Sequence, residues 1–252
     1  MADKSQKERE YFLARVRSLI ALCTEQDCPR FSDFLTEEQA AAALPIAAKS
    51  GLPFLFWGGF EGAARTMLGV FPEWMEPDRE AFPIVGATFR FPAQFSLTHR
   101  DFLGSLMAQQ IRREMVGDIL VREGEAFVFA DERVEKVLFT QIDRIGRVGV
   151  QIARGVPAGL KVEQNYREIR GTLASLRLDA AVALCCGIGR EKAAALITAG
   201  LVQKNHTPAG NVSAQLADGD ILTVRGSGKF RLETDGSLTR KGRIAVRILQ
   251  YL

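Results

Sequence analysis

The sequence predicts an α+β protein in three parts: a mainly helical N-terminal region over 1–80, a central ferredoxin-like βαββαβ domain over 81–166, and a C-terminal module of paired helices and short strands over 175–252. Three observations carry this reading. Apolar residues recur every three or four positions near the start, period-two and helical segments alternate in the middle, and two short glycine-ended helices precede turn-rich strands at the end. With 252 residues, 47% hydrophobic and 25% charged, the chain can bury sizeable cores, which excludes a disordered or collagen-like polymer.

In the N-terminal region, Phe12, Val16, Leu19 and Ile20 fall on one stripe of a helix over 7–22. Thr36 with Gln39 sets a capping box for a second helix through the Ala-rich run to Leu44, and Pro45 is expected to limit it. LPFLFW after Gly51 reads as a buried strand ended by Gly58 and Gly59, with a third helix expected from Glu61 to Val70. The proline- and charge-rich PEWMEPDREAFP marks the first boundary.

The central order is regular. IVGATFRF reads as a strand, and Thr98 and Asp101 cap a helix running to Gln110. DILV and EAFVFA form a hairpin across Glu123-Gly124, a helix follows over 131–139, and a last strand spans 147–152. Two helices on one face of a four-stranded sheet is the economical packing of that order. Phe89, Phe91, Phe127 and Phe129 alternate as strand residues do; alternation leaves open whether they are core or an exposed platform on which RNA bases stack.

Charge separates the two ends. Residues 167–252 carry 13 basic against 7 acidic side chains, whereas 1–166 carry 20 against 23, so the C-terminal part is the one suited to a polyanion. Helices are expected over 177–185, ended by Gly187, and over 190–199, ended by Gly200. Arg190 and Lys192 stand in the first turn of the second helix, where cationic side chains add to the positive helix end and favour a bound phosphate. Cys23, Cys28, Cys185 and Cys186 with two histidines make no zinc-ligand spacing, so neither a metal nor a cofactor is expected. The lack of a long apolar run excludes membrane insertion.

The blocks RLD, GIGREKAAALITAGLVQKN and DGDILTVRG, in that order, resemble the S4 domain, a module that binds structured RNA. WGGFEGAARTMLGVFP, LTHRDFLGSLMAQQIRREMVGDI and the stretch from EAFVFA to QIDRIGRVGV are similar to the bacterial and plastid YlmH-type proteins, also called photosystem II S4-domain proteins. The resemblance implies a central RNA-recognition-like fold and a C-terminal S4 domain. It further implies a non-catalytic protein that binds rRNA or tRNA on the large ribosomal subunit in rescue of stalled chains. The expected location is cytoplasmic, or the plastid stroma if a transit peptide has been removed.

Matched position by position, the S4 pattern makes Arg177, Arg190, Lys192, Lys204, Asn205 and Arg225 the expected RNA contacts, and the basic run adds Lys229 and Arg231. His99, Arg100, Arg112 and Arg113 are secondary candidates for RNA or ribosome contact. Arg177 and Asp179, two apart, would not face one another on a helix, and Asp179 is expected to cap or to pair with a basic neighbour. Gly189 replaces the family's capping Ser at a cost of a few tenths of a kcal/mol, roughly. His206 replaces its Gly, which is expected to alter the hairpin turn.

An RNA-modifying enzyme is the rival reading, because S4 modules are often fused to catalytic domains. A pseudouridine synthase would need an Arg-Leu-Asp segment apart from the S4 opening at Arg177, and a methyltransferase a glycine-rich turn. Gly58-Gly59-Phe60-Glu61-Gly62 is the one glycine cluster available and lacks the required spacing. A protein-interaction scaffold is the third reading.

Overall fold

The computed structural model describes residues 2–160 and 166–251, with the side chains of 2–5 left aside. The end of the expected central domain, at 161–165, therefore lies outside the described residues. The chain divides into two compact units, Met1–Val162 and Glu163–Leu252.

The first unit opens with α1 (Ala2–Gln26), whose Val16 and Cys23 are buried against Ala43 and Ala47 of α2 (Glu37–Lys49). The capping box forms as expected: the Gln39 N–H donates to Thr36 Oγ1 at 3.2 Å and the Thr36 N–H to Gln39 Oε1 at 2.9 Å. Pro45 does not limit α2, which runs on to Lys49. Pro45 lies on the exposed side, and the burial of Ala43 and Ala47 holds the turn around it.

Three strands, β1 (Arg30–Phe31), β2 (Phe54–Trp57) and β3 (Met67–Val70), form an antiparallel sheet in the order β1-β3-β2. The helix expected over 61–70 is thus a loop followed by the central strand. Met67, Leu68 and Val70 are fully buried, and a continuous apolar run carries no period to distinguish strand from helix. The loop closes tightly on itself: a Cβ on Gly58 would lie 2.4 Å from the Arg65 carbonyl oxygen, and one on Gly59, at φ +96°, would lie 2.4 Å from the Phe129 ring.

The central segment comprises β4 (Ile84–Arg90), α3 (His99–Ala108), β5 (Val116–Arg122), β6 (Glu125–Asp131), α4 (Glu135–Thr140) behind a 3-10 turn, β7 (Arg144–Ile145), β8 (Val148–Gly149) and β9 (Gln151–Arg154). The last expected strand is split, because β8 pairs with β7 in a separate hairpin and only β9 joins the sheet. The main sheet is antiparallel in the order β5-β6-β4-β9, the order that a βαββαβ chain generates when each helix crosses over one neighbouring strand.

Both faces of this sheet are covered. Phe89 and Phe91 pack with Phe102 and Leu106 of α3, whereas Phe127 and Phe129 pack with Phe34, Phe60, Met67 and Phe71 from the preceding region. Phe60 stacks on Phe129 with centroids 4.8 Å apart. All four phenylalanines are core, so the stacking platform is overturned: the N-terminal residues occupy the face it would need.

The second unit contains β10 (Tyr166–Leu173), α5 (Leu178–Cys186), α6 (Arg190–Thr198), β11 (Val202–Lys204), β12 (Thr207–Pro208), β13 (Ile221–Val224), β14 (Gly228–Glu233) and β15 (Ile244–Tyr251). Its sheet runs β10-β15-β14-β13-β11-β12. Gly187, at φ +63°, ends α5 as its lack of a Cβ allows. Val182, Ala193 and Ile197 of the helices bury Phe230, Leu232, Val246 and Ile248 on one face of the sheet. Strand β10, not expected from the sequence, pairs along its whole length with β15.

Replacing Phe129 with Ala should cost about 3–5 kcal/mol of unfolding free energy, as for other fully buried aromatics. Urea denaturation measures this directly, and a loss below about 1 kcal/mol, typical of surface positions, would return Phe129 to the role of an exposed ring.

Candidate functional site

The second unit places its candidate cations through two buried carboxylates. Arg177 is the residue that caps α5 and is extended (φ −95°, ψ 146°), so its side chain turns back to Asp179, which two helical positions could not do. Asp179 accepts from Arg177 Nε at 3.1 Å and Nη2 at 3.3 Å, from Arg190 Nη2 at 2.6 Å, and from the Ala180 N–H at 2.9 Å. Burial alone would raise its carboxyl, but the hydrogen bonds and charges of Arg177 and Arg190 outweigh that and hold it below the usual aspartate value. Two guanidinium groups from successive helix starts are thereby fixed side by side. Their remaining N–H groups reach solvent, since the side chains are 36% and 58% exposed. Lys192, in the first turn of α6, is exposed and makes no hydrogen bond or ion pair with the described residues. Gly189 caps α6 without a side-chain hydrogen bond, as its lack of a hydroxyl dictates.

Asp220 plays the same part for the hairpin. Lys204 Nζ donates to the Gln215 carbonyl at 2.7 Å and pairs with Asp220 at 2.9 Å. Asn205 Nδ2 donates to Asp220 Oδ1 at 2.7 Å, and the Ile221 N–H donates to Asn205 Oδ1 at 2.8 Å. Burial would raise the Asp220 carboxyl, and these bonds, led by one from the Ala217 N–H, lower it instead. Asn205 and His206, the two residues that link β11 to β12, adopt φ +48° and +63°, the double left-handed geometry of a two-residue hairpin. The fixed Asn205 side chain holds that geometry.

The remaining candidates stand elsewhere. Phe230 and Leu232 point to the helices, so Lys229 and Arg231, which alternate with them, lie on the outer face of the sheet. Lys229 Nζ sits 5.0 Å from the Tyr251 ring centroid, and Arg231 pairs with Glu233 at 3.7 Å. Arg225 follows β13 and is exposed. The eight cations and amides chosen from the sequence thus divide between the helix-and-hairpin side and the opposite face.

In the first unit, His99 and Arg100 begin α3, and Arg100 is exposed. Burial, with Arg113 and Arg65 nearby, pushes the His99 imidazole below its ordinary value and keeps it neutral at pH 7. Arg112 pairs with Glu114 at 3.5 Å. Arg113 donates to the Val116 carbonyl at 2.7 Å. Two residues not singled out from sequence complete this knot. Arg65 reaches the Val116 and Phe34 carbonyls at 2.9 and 3.1 Å, and burial, then Arg113, lowers its guanidinium to about 10. Asp118 accepts from the Ala64 and Arg65 N–H groups at 2.6 and 3.2 Å, yet burial still raises its carboxyl. Residues so far apart in sequence leave no spacing signal.

The features that an RNA-modifying enzyme would need are committed otherwise. Asp179, the acid of the Arg-Leu-Asp triplet, is buried beneath two arginines, and the Gly58-Gly59 loop is packed against Arg65 and Phe129 rather than open to a cofactor. Among the described residues no group of three or more His, Cys, Asp or Glu side chains could hold a metal ion, and no helix is long and apolar enough to cross a membrane.

Residues 77–156 match the family model described as "Putative RNA-binding domain in YlmH". Over that stretch the chain is similar to YlmH proteins. Ribosome-associated protein quality control protein P2 of Bacillus subtilis (strain 168) is 27% identical over 237 residues, covering 93% of this chain and 92% of the relative. The solved structure of cell division protein ylmH from Streptococcus pneumoniae shares the fold with a TM-score of 0.52 at 24% identity, over 59% of this chain and 92% of that one.

Because Asp33, Asp179 and Asp220 all titrate below the usual aspartate range, the stability they add is complete above about pH 4 and is lost as pH falls through their lowered values. Thermal unfolding should be insensitive to these groups between about pH 5 and 7 and weaken below about 4. In Asp179→Asn, part of that acid loss should already be present at pH 7. An unchanged acid profile in this variant would remove Asp179 from the account.

Proposed function

We propose that the protein is a non-catalytic binder of structured RNA, rRNA or tRNA, acting on the large ribosomal subunit in ribosome-associated quality control in the cytoplasm. The arrangement of Arg177 and Arg190 on the buried Asp179 carboxylate, with Lys192 exposed in the same helix turn as Arg190, carries the reading. Both guanidiniums are pre-oriented with donors toward solvent, so a phosphate meets them with little ordering cost. The ribosomal setting is supported by the B. subtilis relative, whose similarity runs through nearly the whole chain.

In this reading residues 175–252 act as the S4 module and 81–166 as the RNA-recognition-like domain behind the region 1–80. Arg177, Arg190, Lys192 and Lys204 contact phosphates, and Asn205 sets the hairpin that follows the groove. His99, Arg100 and Arg112 offer a weaker second contact, with Arg112 already paired to Glu114.

About four to six phosphate contacts predict a slope of log affinity against log salt near −4 to −5, taking the duplex value as a guide. Lys192→Glu should weaken binding to tRNA or to a folded rRNA fragment about tenfold while leaving thermal unfolding unchanged, since the side chain touches nothing that it stabilises. Titration of the full chain between about 50 and 300 mM salt, with nucleoside mass spectrometry of the recovered RNA after incubation with S-adenosylmethionine, tests both halves of the reading. A flat salt response would defeat phosphate docking, and new pseudouridine or methylated nucleoside would make the protein an enzyme.

A further inference from the structure

We propose that the outer face of the six-stranded sheet, the one turned away from α5 and α6, is a second RNA surface that takes a single strand by base stacking. The proposal rests on the RNA-binding reading above and adds a distinct site to it.

The sheet register lays one residue per strand in a row across this face. Tyr166 of β10 stands opposite Tyr251 of β15, and their rings lie 5.0 Å apart at 69°. Lys229 of β14 reaches over the Tyr251 ring, Thr223 of β13 pairs with Lys229, and Gln203 of β11 pairs with Thr223. At roughly 4.8 Å per strand the row is about 19 Å long from Tyr166 to Gln203. It therefore presents, in order, two aromatic rings, a cation, a hydroxyl and an amide. The next rows hold Arg231, Arg247 and Arg170 paired with Glu168 and Glu233, with Asp218 and Asp235 beside them, so the cation that the face contributes to the site is Lys229 in the tyrosine row.

That chemistry suits unpaired nucleotides better than a duplex or a protein. A duplex hides the π-faces of its bases, whereas a splayed base can stack on a tyrosine that is 37% exposed, as Tyr166 is. Thr223 can bond a base edge, and Lys229 at the centre of the row meets the backbone. Because the fork of Arg177 and Arg190 belongs to the helix side, the same unit can hold a folded RNA there and a strand on the outer face at once.

The test uses the full chain, a fluorescein-labelled oligouridylate and tRNA, each followed by anisotropy. Tyr166→Ala and Tyr251→Ala should each weaken oligouridylate binding about tenfold, with Tyr→Phe at either position restoring it and tRNA affinity changing less than about twofold. Lys192→Glu should do the reverse. Lys229→Glu, which deletes no ring from the sheet, should also lower oligouridylate affinity and serves if an alanine variant unfolds. Oligouridylate binding that none of the folded variants changes would overturn the proposal, as would a wild-type chain that binds tRNA but ignores oligouridylate. In the latter case a change in self-association on mutating the tyrosines would assign the face to protein. Failure of the wild-type chain to bind either RNA would instead sink the parent reading.

Discussion

The buried carboxylate of Asp179 is the constraint on which the helix-pair side of the second unit depends. An unpaired carboxylate in that position would lose its hydration without compensation, a penalty that drives such groups to pair or to take up a proton. Asp179 is paid in full by donors from three places: the backbone of α5, the residue capping it and the first residue of α6. The same contacts that satisfy it tie the two helix starts together. Asp220 repeats the device, joining Lys204, Asn205 and the Ala217 backbone into one hairpin.

The first unit solves a different problem, a sheet with two apolar faces. Helices cover only one side of a βαββαβ sheet, so the rings of Phe127 and Phe129 need another layer, and the loop and strands around Phe34, Phe60 and Met67 supply it. An ionic cluster secures that layer near α1. Asp33 is held by Arg133 at 2.6 Å and Arg15 at 2.9 Å, and Arg133 also grips Asp131. Burial pulls the Asp33 carboxyl upward, and the two arginines overcome it.

Signals confined to a few residues were legible in the sequence. The Thr36 and Thr98 capping boxes, the stop at Gly187 and the alternation of β4 and β6 each depend on neighbours within one turn or one strand, and they place α2, α3, α5 and the central sheet. What escaped depends on partners far along the chain. The run through Met67 to Val70 becomes a strand because β1 and β2 flank it, and Pro45 is tolerated because α1 packs behind α2. The site shows the same division. Arg177, Arg190 and Lys192 could be chosen by pattern, but that Asp179 binds both arginines, and that Lys229 and Arg231 face away from them, follows only from the fold.

Tying a cation to a buried acid leaves much of its binding capacity intact, because of geometry. Each carboxylate oxygen takes only part of a guanidinium, whose five N–H groups form a rigid fork, and Arg190 keeps more than half of its side-chain surface in solvent. Coulomb attraction to a phosphate is reduced by the Asp179 charge, but the entropy of ordering a long side chain has already been lost in folding. Lys192, with no such anchor, retains its full charge and its full freedom. In the proposed reading, such a surface gains orientation from the anchored arginines and long-range attraction from the free lysine, so that phosphate contacts would position an RNA and shape would select it.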